Sequence, residues 1–187
     1  MEKIDVEYYE SGKDILLIIT GIGGTTKGYK NKYEKIARNV IKKYNFSVVV
    51  ATSPFGSWLH TEQNLDYIMN YIKSKRNYDY KVYAMGNSVG ANILLWHSQK
   101  FPQIKKVLAV NPVMNINIHL LKRLQDSTKD INIVFGEKDI SSKFAKLVPI
   151  NKNVRVEILP NIDHNFTNNL NVFLELPIKY LIEKSND

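Results

Sequence analysis

The sequence contains no cysteine, and this absence removes two classes of site. Disulfide bonds and thiolate metal sites both require cysteine, so neither can stabilise this chain. The histidines His60, His97, His119 and His164 are scattered, and no two are spaced as H-x-x-x-H. We therefore expect no metal site and no organic cofactor.

Long apolar runs and blocks of like charge are also absent. The first apolar run, Ile15–Ile19, is too short for a leader peptide or a membrane span, so we expect a cytoplasmic protein without stable membrane insertion. The net charge is +8, but the lysines are spread along the chain and the longest basic runs are pairs such as Lys42-Lys43. Such a distribution is typical of a solvated surface, and we expect no nucleic-acid partner.

Short apolar segments alternate with helical patterns along the 187 residues. This alternation predicts one domain, 1–187, with a mostly parallel sheet of about seven strands between two layers of helices, a three-layer αβα sandwich. The helical patterns include Tyr33–Tyr44, Leu65–Ile72 with Thr61 as its cap, and Ile118–Gln125. The predicted strands are Ile4–Glu10, Ile15–Thr20, Phe46–Ala51, Val82–Met85, Lys106–Val110, Ile131–Phe135 and Val154–Leu159.

The stretch Lys81–Gly90, KVYAMGNSVG, reads as a strand, a sharp turn and the start of a helix, with Ser88 at the apex. This is the setting of a G-x-S-x-G nucleophile elbow, in which a strained backbone exposes the serine hydroxyl. Gly86 and Gly90 suit it because side chains there would clash where strand and helix pass closely. An ordinary helix cap at Ser88 would not explain both glycines.

A serine nucleophile needs a base, and the base needs a carboxylate to orient it. Asp139 and His164 follow the two last predicted strands, so the chain order is Ser, Asp, His, with each residue at a strand end. Glu137 and Asp163 are rival carboxylates; the turn position favours Asp139, and the adjacent Asp163 is poorly placed to orient His164. The other histidines precede the aspartate and are expected at the surface or in packing.

Together these motifs resemble the α/β-hydrolase superfamily, in particular its small serine hydrolases with almost no cap domain. The resemblance covers nearly the whole chain from Ile15. It implies an oxyanion hole formed by two backbone N–H groups, which we assign to Val89 and Ile22, with Gly23 as second choice for the latter. Relatives often carry a His-Gly pair before this loop, whereas here Thr20 precedes Gly21.

The expected function is therefore that of a serine hydrolase acting on a small-molecule ester or related acyl bond. A thioesterase, a peptidase, or a binding protein that uses the same cleft without catalysis are the alternatives. The Gly21–Gly28 segment matches neither a dinucleotide fingerprint nor a Walker A motif. Phe55 and Trp58 are candidate pocket residues, and Val113–Asp130 is the one place for a short lid.

Overall fold

The computed structural model describes residues 3–54, 59–76, 79–113 and 118–183. Within these ranges no helix combines the length and the apolar character that crossing a membrane requires.

A seven-stranded sheet forms the middle of the molecule, in the order β1-β3-β2-β4-β5-β6-β7. β1 runs antiparallel to β3 at one edge, and all other neighbouring strands are parallel. The parallel strands therefore bring their carboxyl ends to one edge of the sheet, where α/β folds bind ligands. The strands are β1 (Val6–Tyr9), β2 (Ile15–Ile22), β3 (Ser47–Ser53), β4 (Val82–Asn87), β5 (Ile104–Val110), β6 (Asp130–Gly136) and β7 (Val154–Leu159).

Helices cover both faces of the sheet because side chains alternate along each strand and β2 is apolar on both sides. Ile15, Leu17 and Ile19 face one layer, whereas Leu16 and Ile18 face the other, and all five are fully buried. The first layer is formed by α2, α3 and α4, and the second by α1 and α5. The helices are α1 (Lys32–Tyr44), α2 (Thr61–Ser74), α3 (Val89–His97), α4 (Ile118–Gln125) and α5 (Leu170–Pro177).

The chain turns irregular where its sequence disfavours an α-helix. Ile140–Leu147 forms a 3-10 helix, and a π-helix, Ile178–Ile182, continues from α5 at Pro177. Proline lacks the N–H for the regular ladder, so the change of winding at Pro177 has a local cause.

The predicted three-layer fold is confirmed, including the bounds of α4 and β7. One local prediction is wrong: Thr61 is not the cap of α2. The helix begins at Thr61 itself, the capping position is His60 with no side-chain cap, and the Thr61 hydroxyl bonds His97 Nε2 at 2.8 Å. The Thr61 hydroxyl oxygen, which was expected to cap α2, is therefore hydrogen-bonded to a histidine of α3 instead.

Candidate active site

Ser88 occupies the turn between β4 and α3 in a backbone conformation that residues with a side chain seldom adopt. Its φ is 55° and its ψ is −116°. A Cβ on Gly86 would lie 2.3 Å from the carbonyl oxygen of Gly90, and a Cβ on Gly90 would lie 2.3 Å from that of Ile19. Both glycines are therefore required by close backbone approach, and the strained serine between them has the geometry of an elbow.

The elbow lies against the ends of both neighbouring strands. The Ser88 N–H donates to the carbonyl of Val110, the last residue of β5, at 2.9 Å. On the other side, a Cβ added to Gly21 of β2 would stand 3.3 Å from the Ser88 Cβ. Ser88 is therefore held between the carboxyl ends of β2 and β5.

Asp139 and His164 are in direct contact. The His164 Nδ1 faces Asp139 Oδ2 in a short hydrogen bond, and the second oxygen, Oδ1, accepts the Ser141 N–H at 2.7 Å. The Asp139 side chain is 1% exposed, whereas that of His164 is 37% exposed. A buried carboxylate with both oxygens engaged orients the ring, and a half-exposed imidazole keeps its other face open to a substrate.

Both rival carboxylates bond elsewhere. Glu137 Oε2 accepts the N–H of Asn161 at 2.8 Å. Asp163 Oδ1 accepts the N–H groups of Thr167, at 2.9 Å, and Asn165, and the first of these bonds lowers the pKa of Asp163 below its usual value. Asp163 therefore closes the turn that carries His164 and does not orient its ring.

The turn after β6 that carries Asp139 (136–139, the acid turn) and the loop after β7 that carries His164 (160–164, the base loop) are joined by backbone hydrogen bonds. The Glu137 N–H donates to the Leu159 carbonyl, and the Lys138 N–H donates to the Ile162 carbonyl, both at 2.9 Å. Gly136 is required here because a Cβ would lie 2.5 Å from the Ile162 oxygen. The two loops therefore behave as one unit that carries the Asp139–His164 pair.

Ser88 and His164 share no hydrogen bond in the part of the chain that the structure describes, but both are bonded to the end of β5 and the residue after it. Val110 accepts from Ser88, and the next residue, Asn111, donates to the His164 carbonyl at 2.9 Å. Consecutive residues of β5 and its loop thus contact the nucleophile candidate and the base candidate. Catalytic hydrogen bonds are often long in unliganded enzymes and tighten with substrate.

The assigned oxyanion donors lie on either side of Ser88. Val89 opens α3, so its N–H belongs to the first turn, which has no partner inside the helix. Gly23 donates its N–H to the Ser53 carbonyl at 2.8 Å, and Ile22 is the residue paired with Ser53. In a parallel ladder this arrangement turns the Ile22 N–H away from β3, towards the side of β4 and Ser88.

Thr20, which stands where relatives often have histidine, closes the end of β2 against β3. Its buried hydroxyl donates to the Gly21 carbonyl at 3.0 Å and accepts the Ser53 N–H at 3.1 Å. The Ser53 hydroxyl returns a bond to the Thr20 carbonyl at 2.8 Å. These bonds shape the loop that carries Ile22.

None of the remaining histidines is hydrogen-bonded to Ser88 or Asp139 among the described residues. His97 bonds Thr61, and burial lowers its pKa, as expected for a packing residue. His60 and His119 are exposed. Among the described residues, no group of acidic or histidine side chains is arranged to hold a metal ion.

The pocket residues proposed from the sequence, Phe55 and Trp58, lie outside the described residues. A groove of about 250 Å³ borders the Ile22 loop and is lined largely by hydroxyls and backbone, including Gly23, Thr26 and Thr52. A larger groove of about 440 Å³ lies at the opposite end of the sheet, beside Lys13 and Lys81, away from Ser88.

The chain is similar to a known family of proteins. The family model described as "Dienelactone hydrolase family" matches residues 17–181, which is most of the chain. The chain belongs to the dienelactone hydrolase family. A search of curated proteins found no match. Membership places the chain among hydrolases of the α/β-hydrolase superfamily, in agreement with the resemblance drawn from its motifs.

Solved structures share the fold of this dienelactone hydrolase family member at low identity. Est1E from Butyrivibrio proteoclasticus is 14% identical, with a TM-score of 0.77 over 98% of this chain and 95% of its own. MGS-MChE2, an α/β-hydrolase enzyme from a lagoon-sediment metagenome of Mar Chica, Morocco, is 16% identical, with a TM-score of 0.70 over 98% and 97%. XC6422 from Xanthomonas campestris, described as a serine hydrolase without lid, is 13% identical, with a TM-score of 0.65 over 94% and 87%.

Proposed function

We propose that this family member is a serine hydrolase that cleaves a carboxylic ester through an acyl-serine intermediate. The observation that carries the proposal is the contact of Asp139 with His164 Nδ1, beside an elbow that strains Ser88. Residues 25 positions apart provide this pair, and both come from loops joined to the strand that contacts Ser88. Such an arrangement is what activation of a serine requires.

In the proposed first step, Ser88 Oγ attacks the ester carbonyl carbon while His164 Nε2 removes the hydroxyl proton. Asp139 holds the ring with Nε2 towards the serine and stabilises the imidazolium. The tetrahedral intermediate collapses as the C–O bond to the alcohol breaks and His164 returns the proton to the leaving alcohol. Water, deprotonated by His164, then attacks the acyl carbon. The bond from that carbon to Ser88 Oγ breaks, His164 returns the proton to Ser88, and the free acid leaves.

The negative oxygen of the tetrahedral intermediate would be bound by the N–H groups of Val89 and Ile22. The first lies at the start of a helix, where orphan amides and the helix dipole favour negative charge. The second is favoured over Gly23, whose N–H is already donated to Ser53. One such donor is worth about a hundredfold to a thousandfold in rate.

We propose small esters as substrates because the groove beside the Ile22 loop is small. This groove of about 250 Å³ is lined by polar and apolar groups alike. Esterases and a lidless serine hydrolase among the structural neighbours support an ester as the bond that is cleaved. We propose no cofactor, metal or nucleic-acid partner for the reaction.

Hydrolysis of p-nitrophenyl esters of increasing acyl length tests the proposal. We expect turnover of the acetate and butyrate, an initial burst of nitrophenol equal to the enzyme concentration when deacylation is slow, and loss of both in Ser88→Ala. The dependence on chain length reports the depth of the acyl site. Wild-type protein that is folded but no faster than Ser88→Ala would instead indicate a binding protein without catalysis.

A further inference from the structure

Asn111 is a buried residue at the end of β5 to which the sequence assigned no function. It is fully buried and adopts φ of 44°, in the left-handed region. Asparagine tolerates this conformation better than most residues with a side chain. Its own N–H donates to the Val134 carbonyl at 2.8 Å, which places its side chain between β6 and the loop after β7.

One end of the Asn111 amide holds the acid turn. Its Oδ1 accepts the Gly136 N–H at 2.7 Å. Gly136 begins the turn that ends at Asp139, and the Asp139 N–H donates back to the Gly136 carbonyl at 3.0 Å. The position of the Asp139 carboxylate therefore depends on the Gly136 peptide group that is hydrogen-bonded to Asn111.

The other end of the amide holds the base loop. Its Nδ2 donates to the carbonyl of His164 at 2.9 Å, and more weakly to that of Asp163 at 3.4 Å. The residue before it, Val110, accepts the N–H of Ser88. Two consecutive residues thus touch the segments that carry all three members of the proposed triad.

We propose that Asn111 is a positioning residue, which sets the Asp139–His164 pair against Ser88 through the two ends of one amide. This inference rests on the proposed serine hydrolase function. Asn111 touches no reacting atom, so it acts on the chemical step through the placement of His164. Small misplacements of a catalytic group cost up to about a hundredfold in rate, so a single amide can carry a large effect.

Two substitutions separate the parts of this role. Asn111→Asp keeps an oxygen that can accept the Gly136 N–H but replaces the donor to His164 with a repulsive carboxylate oxygen. Asn111→Gly removes both contacts and keeps a residue suited to positive φ. For both we expect kcat to fall by about tenfold to a hundredfold with KM unchanged, because substrate contacts are intact.

Asn45 provides the matched control. It also adopts positive φ, 53°, at the C-terminal cap of α1, and its amide oxygen accepts from Ser11 at the surface. Asn45→Asp and Asn45→Gly are expected to leave kcat and KM unchanged. Thermal unfolding of all four variants shows which are folded, and if Asn111→Gly does not fold, Asn111→Asp carries the test.

A double-substitution cycle with Asp139→Asn distinguishes positioning from general stability. If Asn111 acts through the Asp139–His164 pair, adding Asn111→Asp to Asp139→Asn should lower kcat little further, because Asp139→Asn has already disabled that pair. Additive losses in kcat, or a rise in KM alone, would overturn the proposal. So would Asn111 variants that are folded and fully active.

A spectroscopic measurement keeps this inference separate from the proposed function. The proton on His164 Nδ1, held by Asp139, should give a far-downfield ¹H resonance that is absent in His164→Gln. We expect Asn111→Asp to shift or broaden it and Asn45→Asp to leave it in place. If no ester is hydrolysed, the proposed function is wrong, but the resonance still tests the role of Asn111. An unchanged resonance in Asn111→Asp would overturn that role.

Discussion

At the scale of single residues, Asp139 and Ser88 are held in place before a substrate arrives. Asp139 has both carboxylate oxygens occupied, one by His164 and one by the Ser141 N–H. Ser88 is held in a strained conformation by the close approach of β4, α3 and β2. Preorganisation of this kind lowers the cost of reaching the transition state because little has to move.

Asp139→Asn should therefore lower kcat by about a thousandfold to ten-thousandfold. An amide at this position can present its NH₂ group to His164, which favours the wrong tautomer and no longer stabilises the imidazolium. Steady-state kinetics on a p-nitrophenyl ester measure the effect, with KM expected to change little.

Asp163→Asn is the matched control, because it changes the carboxylate next to His164 in the chain. Asparagine keeps an oxygen that can accept the N–H groups of Thr167 and Asn165, so the turn should persist and activity should fall far less. Equal losses in the two variants would show that Asp139 has no special role in orienting His164.

At the scale of elements, α1 packs on α5 with a lysine in the interface. Lys32 is 6% exposed, and its Nζ lies 4.0 Å from the centre of the Phe173 ring and 5.1 Å from that of Tyr33. Burial lowers the pKa of Lys32 to about 8. The aromatic faces favour the ammonium, but the loss of water outweighs them.

This lysine should make stability rise with pH in a defined window. Its pKa is about 8 in the folded state against an ordinary value of 10.5, so between these values the unfolded chain binds more protons and folding gains from rising pH. The free energy of unfolding, measured with urea, should rise between pH 7 and pH 9.5 in wild type. This rise should exceed that of Lys32→Met by on the order of 2 kcal/mol.

The exposed Lys35, on the same helix, supplies the control for that comparison. Lys35→Met should retain the pH dependence of wild type. Measurements should stop below about pH 10, where tyrosines ionise in the unfolded chain while burial of Tyr33 raises its pKa and keeps it neutral, which lowers stability. If the free energy of unfolding depended on pH in the same way in wild type and in Lys32→Met, the lowered pKa of Lys32 would be contradicted.

The strands and most helices could be predicted from the sequence because their signals are local. Continuous apolar runs marked the buried strands, and helical spacing marked α1 and α4. Thr61 was misjudged because its hydroxyl bonds His97 from another helix, a tertiary contact that no local pattern contains. Ser88, Asp139 and His164 follow the ends of β4, β6 and β7, and parallel strands end at one edge of the sheet.

The bonds between the loops could not be predicted in the same way. The contacts of Asn111 with Gly136 and His164 span 25 and 53 positions of the chain. An Asn-Pro pair after a strand indicates a turn, which is the sole local trace of this role.

At the scale of the whole molecule, the parallel sheet turns residues that are distant in sequence into neighbours. The ends of β2, β4, β5, β6 and β7 carry, in that order, the loop of the proposed oxyanion donor Ile22, Ser88, Asn111, Asp139 and His164. The parallel sheet therefore brings groups from five loops to one edge, where the contact of Asp139 with His164 forms between the loops after β6 and β7. This convergence supports the proposed function more strongly than any one motif.

The basic charge of the molecule should not make it a nucleic-acid binder. The net charge is +8, but lysines such as Lys100 and Lys179 pair with acidic neighbours at the surface. We expect no retention of DNA or RNA in a gel-shift assay at low salt. Tight binding that weakens steeply as salt is added would show that the basic surface has a partner after all.

The central claim is that Ser88 is an activated nucleophile, and labelling with a fluorophosphonate tests it most directly. Such a probe reacts with a serine only where a base and an oxyanion hole assist. Intact-mass analysis should show one adduct per chain, peptide mapping should place it on Ser88, and Ser88→Ala and His164→Gln should prevent it. Folded wild-type protein that resists the probe, or that is labelled elsewhere, would contradict the account.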